Sequence, residues 1–232
     1  MVKKVSVKRV SERDICQKVY RSCTSSWPVG IKSVVTIING VGGSGKDTFV
    51  KYAKSYVESI HTGYPINVIN ISSIDTVKEV VSALTRKPIP ESEDDGKTDE
   101  YRTFLSKIKR AWIDYDSSGS TNAVVSEIFE YNAMCEKKYD ALTQVVNIFF
   151  VHIREPEEIQ KLETALPSDY IKTTLFISRS DIDTPTNESD RMAPDYSYDL
   201  WIANNSDENR LRACAKEYID TQLSRVTRYR CI

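Results

Sequence analysis

Long apolar runs are missing from this 232-residue chain. None approaches the roughly 18 residues that a helix needs to cross a bilayer. The first residues, MVKKVSVKRVSERD, carry positive charge but contain no apolar stretch, so they do not resemble a secretory signal. We therefore expect a cytoplasmic protein that has no membrane partner.

Paired cysteines and an excess of one charge are missing as well. The five cysteines are scattered and form no CxxC motif, which argues against a zinc site or a redox pair. An odd number of cysteines without a signal indicates reduced thiols. The 32 basic and 33 acidic residues give a net charge of -1, so we expect no general binding of nucleic acids.

The chain does contain five short apolar segments, which alternate with amphipathic ones. Apolar runs rich in β-branched residues predict buried strands, and strands that alternate with helices predict a parallel sheet. We predict an α/β fold in which a five-stranded, mostly parallel sheet carries helices on both faces, as a three-layer sandwich. The predicted strands are Ser33–Asn39, Ile66–Ile71, Gln144–Ile153, Thr173–Ser178 and Asp199–Asn204.

Three residues mark predicted helix starts. Thr98 and Ser206 are predicted N-caps, and Pro156 suits the first turn of its helix. The helix after Thr98 is amphipathic, and its solvated face is predicted to carry three basic residues: Lys107, Lys109 and Arg110.

A glycine-rich loop follows the first predicted strand and precedes a helix. Its sequence, Gly40-Val-Gly-Gly-Ser-Gly45-Lys46, matches the G-x-x-x-x-G-K core of the phosphate-binding P-loop. Glycines let successive N–H groups curl around a phosphate, the helix adds its positive end, and Lys46 supplies a mobile charge. The predicted nucleotide-binding residues are Gly40, Gly42, Gly43, Ser44, Gly45, Lys46, Asp47 and Thr48.

Asp47 stands where a serine or threonine usually contacts magnesium. Two interpretations remain open: either Thr48 helps to hold the base or a phosphate while Mg²⁺ is held mainly through water, or Asp47 itself binds Mg²⁺ through water. No apolar run ends in an aspartate that would serve as a second magnesium ligand, and Glu155 follows the third strand instead. This absence, like that of an NKxD motif, argues against motor ATPases and GTPases.

Charged residues follow two of the predicted strands, where ligands of parallel sheets bind. Asp75 is placed to orient an acceptor oxygen or accept its proton, and Lys78 and Arg154 are placed to bind an acceptor phosphate. The alternatives are an N-cap for Asp75, an exposed helix charge for Lys78, and a salt bridge to a neighbouring glutamate for Arg154. The strand histidine, His152, is interpreted as a packed or hydrogen-bonded core residue.

Three further arginines are candidates for closing the site, because phosphoryl transfer needs cations around the moving group. Arg179 follows the fourth strand, and Arg191 lies in a polar segment that suits a lid. Arg102 lies on the helix after Thr98, from which it would reach the acceptor in a closed state.

The loop sequence SGKDT resembles a branch of P-loop kinases that act on small phosphorylated molecules. The sequence resembles phage-type deoxynucleoside monophosphate kinases and, more distantly, dephospho-coenzyme A, phosphomevalonate and adenylate kinases. Further segments resemble those enzymes in the same order: NVINISSIDTVKEVVSAL, TDEYRTFLSKIKRAW, VHIREPEEIQKL, and NESD followed by YDLWIANN. Together they cover about Ser33 to Leu223, although only the glycine loop is specific by itself.

The resemblance implies a P-loop kinase domain over residues 31–232, preceded by an N-terminal extension, residues 1–30, that we predict to be helical. Within the domain it implies a helical acceptor-binding insert at 72–143 and a lid-like segment at 179–198. It also implies that Asn205 contacts the adenine, and that ATP and Mg²⁺ are the cofactors.

Three functions remain open at this stage. The first is a kinase that transfers the γ-phosphate of ATP to a nucleoside or deoxynucleoside monophosphate, with Lys46, Asp75, Arg154 and Arg179 as its catalytic residues. The second is a kinase of a non-nucleotide acceptor such as dephospho-coenzyme A. The third is a regulatory module that binds a nucleotide without rapid turnover. The oligomeric state does not follow from the sequence.

Overall fold

The computed structural model describes residues 30–90, 98–181 and 193–228. All of the predicted helical extension at residues 1–30 except Gly30 lies outside the described residues, as do residues 182–192 of the predicted lid-like segment, which include Arg191. A short 3₁₀ turn, Ala193–Asp195, follows β4. The helices and strands are β1 (Gly30–Asn39), α1 (Lys46–Ser59), β2 (Ile66–Ser72), α2 (Asp75–Thr85), α3 (Asp99–Tyr115), α4 (Gly119–Lys138), β3 (Gln144–His152), α5 (Pro156–Ala165), β4 (Ile171–Ser178), β5 (Leu200–Ala203) and α6 (Glu208–Arg228).

The five strands form one sheet in the order β2-β3-β1-β4-β5, and every neighbouring pair is parallel. The predicted α/β class and five-stranded sheet are therefore confirmed. Strand β1 begins at Gly30 rather than Ser33, because it pairs with β3 from Gly30 opposite Gln144 onward. Backbone pairing needs no apolar side chain, so it extends past the apolar run that predicted the strand.

Side chains of β1 alternate between the two faces of the sheet. Val34 and Ile38 pack with α1 and α6, whereas Val35 and Ile37 pack with α4 and α5. All four are fully buried, as expected for a central strand that is covered on both faces. Helices on both faces complete the predicted three-layer sandwich.

Helices α2 and α3 share a small core of their own, beside the sheet. Val77 and Val81 of α2 pack with Leu105 of α3. Thr98 is the N-cap of α3, as predicted, and its hydroxyl oxygen accepts the N–H of Tyr101 at 3.3 Å. These two helices and α4 lie within residues 72–143, where the acceptor-binding insert remains a prediction.

The predicted N-cap of the last helix is wrong by one residue. Helix α6 begins at Glu208, and the carboxylate of Asp207, not the hydroxyl of Ser206, accepts the N–H of Arg210 at 2.9 Å. Pro156 occupies the first turn of α5, as predicted. No helix in the described ranges has both the length and the apolar character that crossing a bilayer requires.

Candidate active site

The topology creates a crevice between β1 and β3. The helix after β1, α1, packs on one face of the sheet, whereas the helix after β3, α5, packs on the other. Because these two strands are neighbours, their following segments diverge at the carboxyl edge of the sheet. Ligands of such sheets bind at this switch point. The glycine loop and Arg154 both leave the sheet there.

The glycine loop has a backbone that only glycines adopt readily. Gly40, Gly43 and Gly45 have φ angles of 146°, 77° and 99°. A Cβ atom on Gly40 would lie 2.3 Å from the carbonyl oxygen of Ile177, and one on Gly45 would lie 2.5 Å from the side-chain nitrogen of Asn204. The glycines therefore serve both the turn and the close packing of the loop against β4 and the segment after β5.

The loop offers both a cation and donor groups. Lys46 Nζ donates to the carbonyl oxygen of Gly40 and, at 2.9 Å, to that of Val41, so it lies across the loop. The first backbone bond of α1 runs from Phe49 N to Gly45 O at 2.9 Å. The N–H groups of Asp47 and Thr48 precede that bond and have no carbonyl partner within the helix.

Ser44 adds an observation that fits a bound phosphate. Its side chain is fully buried, yet its hydroxyl has no hydrogen-bond partner among the described residues. A buried polar group without a partner is costly, and a phosphate oxygen at the loop would supply the missing bond. The residues present therefore fit a nucleotide phosphate at this position.

Asn39, which the sequence analysis did not single out, fixes the loop to its surroundings. Its side-chain nitrogen donates to the carbonyl oxygen of Arg154 at 3.0 Å and to the hydroxyl of Tyr198 at 2.6 Å. Its side-chain oxygen accepts the N–H of Gly40 at 2.7 Å. The signal in the sequence is a polar residue that ends an apolar strand directly before the first loop glycine.

Asp47 has an exposed side chain whose carboxylate lies 3.9 Å from Nε2 of His152. No group of three or more histidine, cysteine, aspartate or glutamate side chains that could hold a metal occurs in the part of the chain that the structure describes. Water-mediated binding of Mg²⁺ by Asp47, or a supporting role of Thr48, remains a prediction.

His152 lies at the end of β3, beside the loop. Its Nε2 is 2.7 Å from the side-chain oxygen of Asn70, as expected for a hydrogen-bonded strand histidine. Burial lowers the pKa of His152 to about 4, and the carboxylate of Asp47 opposes this shift more than the ammonium of Lys46 reinforces it. The imidazole is therefore neutral near pH 7.

This shift predicts a loss of stability in mild acid. The pKa of His152 in the folded protein is about 4, below the ordinary value of 6.5. The neutral imidazole therefore contributes its full share to the free energy of unfolding above about pH 6.5, and this share is lost as the pH falls towards 4. Between pH 7 and pH 5 we expect the free energy of unfolding to fall by about 2 kcal/mol through this group. Urea unfolding at the two pH values should show that the fall is smaller in His152→Gln than in the wild type. The matched control, His61→Gln, should show the same fall as the wild type. An equal fall in both variants would contradict the assignment.

Asp75 and Lys78 form an ion pair at the start of α2. Asp75 accepts the N–H of Ser72 at 2.9 Å through one oxygen and Lys78 Nζ at 2.6 Å through the other. The pair therefore ties the end of β2 to the start of α2 and remains half-buried. The N-cap of α2 is Ile74 and not Asp75, whose side chain also faces a neighbouring cavity.

That cavity, of about 510 Å³, lies between α2 and α4. Four carboxylates and one ammonium group line it: Asp75, Glu79, Glu127, Glu130 and Lys78. Burial, together with the negative charges of Asp75 and Glu79, raises the pKa of Glu127. The cavity is thus unfavourable for a phosphate and favourable for hydroxyl or amino groups.

The predicted arginines lie at different places. Arg154 is exposed directly after β3, and Arg102 is exposed on α3. The guanidinium of Arg179 makes two contacts with the carboxylate of Asp181, at 2.7 and 2.8 Å. Asn205 accepts the N–H of Ser180 at 2.8 Å, so it holds the segment that leaves β4.

The predicted position of Lys109 on a solvated face is wrong. Its side chain is buried, and Nζ lies 2.8 Å from Glu155 and 2.6 Å from Glu158. The apolar stripe of α3 predicted correctly which face packs against α2. It carried no information about the two glutamates that attract Lys109, because they are distant in sequence. Both glutamates named in the alternative for Arg154 are therefore ion-paired with Lys109.

Comparison with known proteins gives only distant likeness. No protein-family model matches the chain, and no curated protein matches it. Among solved structures, a Cys-to-Ala mutant of the APS kinase CysC of Mycobacterium tuberculosis is similar at 13% identity, with a TM-score of 0.40, over 83% of this chain and 96% of that one. The protein APE1195 is similar at 11% identity, also with a TM-score of 0.40, over 84% of this chain and 98% of that one. Neither likeness assigns an activity.

Proposed function

We propose that this protein is an ATP-dependent kinase of a small phosphorylated acceptor. The observation that carries the proposal is the glycine loop, which holds Lys46 and the buried hydroxyl of Ser44 at the switch point between β1 and β3. Arg154 leaves the neighbouring strand at the same edge of the sheet. A phosphate-binding loop beside a second cation is what phosphoryl transfer between two anions needs.

Each group has a distinct role in this proposal. ATP with Mg²⁺ would supply the phosphoryl group and neutralise part of its charge. Lys46 and the loop amides hold the donor phosphates, Arg154 binds the acceptor phosphate, and Arg179 covers the site after leaving Asp181. Asp47 would hold Mg²⁺ through water, and Asn205 would contact the donor base.

We further propose a nucleoside or deoxynucleoside monophosphate as the acceptor. The acidic cavity beside Asp75 repels a phosphate, so the phosphate binds on the Arg154 side and the sugar and base extend into the cavity. Carboxylates there accept hydrogen bonds from hydroxyl and amino groups. Lys78, which lines the cavity and pairs with Asp75, assists there, and Arg102 on α3 would reach the acceptor in a closed state.

A coupled ADP-release screen tests the proposed activity. The panel contains the common nucleoside and deoxynucleoside monophosphates, and dephospho-coenzyme A as a non-nucleotide acceptor. We expect ADP formation that depends on at least one monophosphate. If dephospho-coenzyme A is the only acceptor in the panel that supports turnover, the acceptor is not a nucleoside monophosphate. Tight ATP binding without acceptor-dependent turnover would favour a regulatory module.

Replacing Arg154 by alanine is expected to raise the acceptor KM by about 10- to 100-fold, because charge-assisted hydrogen bonds to a phosphate are lost. The KM for ATP should stay within about two-fold, since the glycine loop is unchanged. Initial rates at varied acceptor and saturating ATP measure the effect. Lys137→Ala, which removes a cation at the opposite edge of the sheet, is the matched control. An unchanged acceptor KM in Arg154→Ala would remove this residue from the site.

A further inference from the structure

Lys109 is the only basic residue buried in the described ranges. Its ammonium group donates to Ser73 at 3.1 Å, to Glu155 at 2.8 Å and to Glu158 at 2.6 Å. A lysine ammonium has three donor hydrogens, so these three acceptors satisfy it. We call these four residues the Lys109 cluster.

The Lys109 cluster joins three separate parts of the fold at the carboxyl edge of the sheet. Ser73 follows β2, and Lys109 comes from the middle of α3. Glu155 is the N-cap of α5, in the short segment between β3 and α5. The N–H of Ser73 also donates to the carbonyl oxygen of His152 at 3.1 Å, which ties the ends of β2 and β3 together. Helix α3 is thereby bound to both strand ends.

Arg154 lies between two anchors of this edge. Its carbonyl oxygen accepts the side-chain N–H of Asn39 at 3.0 Å, which connects it to the glycine loop. The next residue, Glu155, is held by Lys109. The backbone that carries the Arg154 side chain is thus fixed on one side by the loop and on the other by α3.

A buried ion cluster is a poor means of gaining stability, because removing charges from water offsets most of their attraction. Apolar residues of similar volume often serve the fold as well. Small displacements of a substrate-binding group, in contrast, lower activity strongly. The location of the cluster beside Arg154 therefore favours a role in positioning.

We propose that Lys109 is a positioning residue that sets Arg154 and the acceptor cavity relative to the glycine loop by binding α3 to the ends of β2 and β3. This inference builds on the proposed kinase function, and it adds a residue that the sequence had placed in solvent. Lys109 acts through Glu155 and Glu158 and does not itself contact the acceptor.

Two variants separate positioning from stability. Lys109→Met removes the charge but keeps most of the volume, and it takes away the ammonium group that both carboxylates contact. The double variant Lys109→Met with Glu158→Gln also removes the charge of Glu158, the more deeply buried of the two glutamates. Urea unfolding should show a loss of stability in the single variant and at least partial recovery in the double variant.

Initial-rate kinetics give the first readout. The acceptor is the monophosphate with which the wild-type protein shows the highest turnover in the screen. We expect the acceptor KM to rise by about 10- to 100-fold in both variants while the ATP KM stays unchanged. If Lys109→Met does not fold, the double variant alone decides. A wild-type acceptor KM in the stable double variant would overturn the proposal, since the single variant would then have acted only through stability.

Hydrogen exchange gives a second readout that does not need turnover. Amides of residues 99–115 should exchange faster in the double variant than in the wild type, whereas those of α1 should not change. Unchanged exchange in α3 would overturn the proposed link. If the wild-type protein has no acceptor activity, the proposed function fails, and the exchange result alone decides whether Lys109 fixes α3.

Discussion

Replacing Lys46 by alanine is expected to lower the rate of acceptor-dependent ADP formation by about 10²- to 10³-fold, the usual effect of losing one group that stabilises transition-state charge. Lys46 lies across the glycine loop, where its ammonium contacts the carbonyl oxygens of Gly40 and Val41. These carbonyls hold the ammonium at the carboxyl end of β1, within reach of phosphates bound by the loop. Single-turnover and steady-state rates at saturating ATP measure the loss in kcat.

Lys51→Ala is the matched control for this change, because Lys51 is an exposed lysine on the same helix, α1. Its activity should equal that of the wild type. The thermal midpoint of Lys46→Ala should stay close to that of the wild type, which excludes unfolding as the cause. Full activity of Lys46→Ala would contradict the assigned role of the loop.

Replacing Gly40 by alanine is expected to damage both folding and ATP binding. The new Cβ would lie 2.3 Å from the carbonyl oxygen of Ile177 and 2.7 Å from the hydroxyl of Ser44, at a φ of 146°. We expect a loss of about 1–3 kcal/mol in the free energy of unfolding from strain and overpacking. Displacing the loop by about 1 Å should also weaken ATP binding by about 10²-fold. Urea unfolding and calorimetric titration with ATP measure the two effects.

Gly63 provides the control for this prediction. A Cβ on Gly63 would meet nothing within 4 Å, so Gly63→Ala should leave both stability and ATP binding unchanged. If Gly40→Ala bound ATP as tightly as Gly63→Ala, the close approach of the loop to β4 would have no part in binding.

Features that depend on neighbours in sequence were predictable. The apolar, β-branched run that contains Val34, Val35, Ile37 and Ile38 indicates a strand buried on both faces, and the loop glycines indicate a backbone that can curl around a phosphate. These signals are local, because side-chain periodicity and backbone restrictions arise within a few residues. They were enough to predict the parallel sheet, and with it the carboxyl edge at which the loop lies.

Features that depend on distant pairing were not predictable. Lys109 resembles any solvated lysine of an amphipathic helix until Glu155 and Glu158 are brought beside it. Asn39 likewise gains its meaning only from the carbonyl oxygen of Arg154 and the hydroxyl of Tyr198. In both cases the partners are far away in the chain, so periodicity carries no trace of the contact. The acidic character of the cavity between α2 and α4 was hidden for the same reason.

The central claim is that the backbone amides of the glycine loop bind the phosphates of ATP. Amide chemical shifts of the isotope-labelled protein, recorded while ATP is added, test it most directly. We expect saturable shifts concentrated at residues 40–48, and their loss or strong weakening in Lys46→Ala. Loop amides that stay unchanged at millimolar ATP, or shifts confined to another part of the chain, would contradict it.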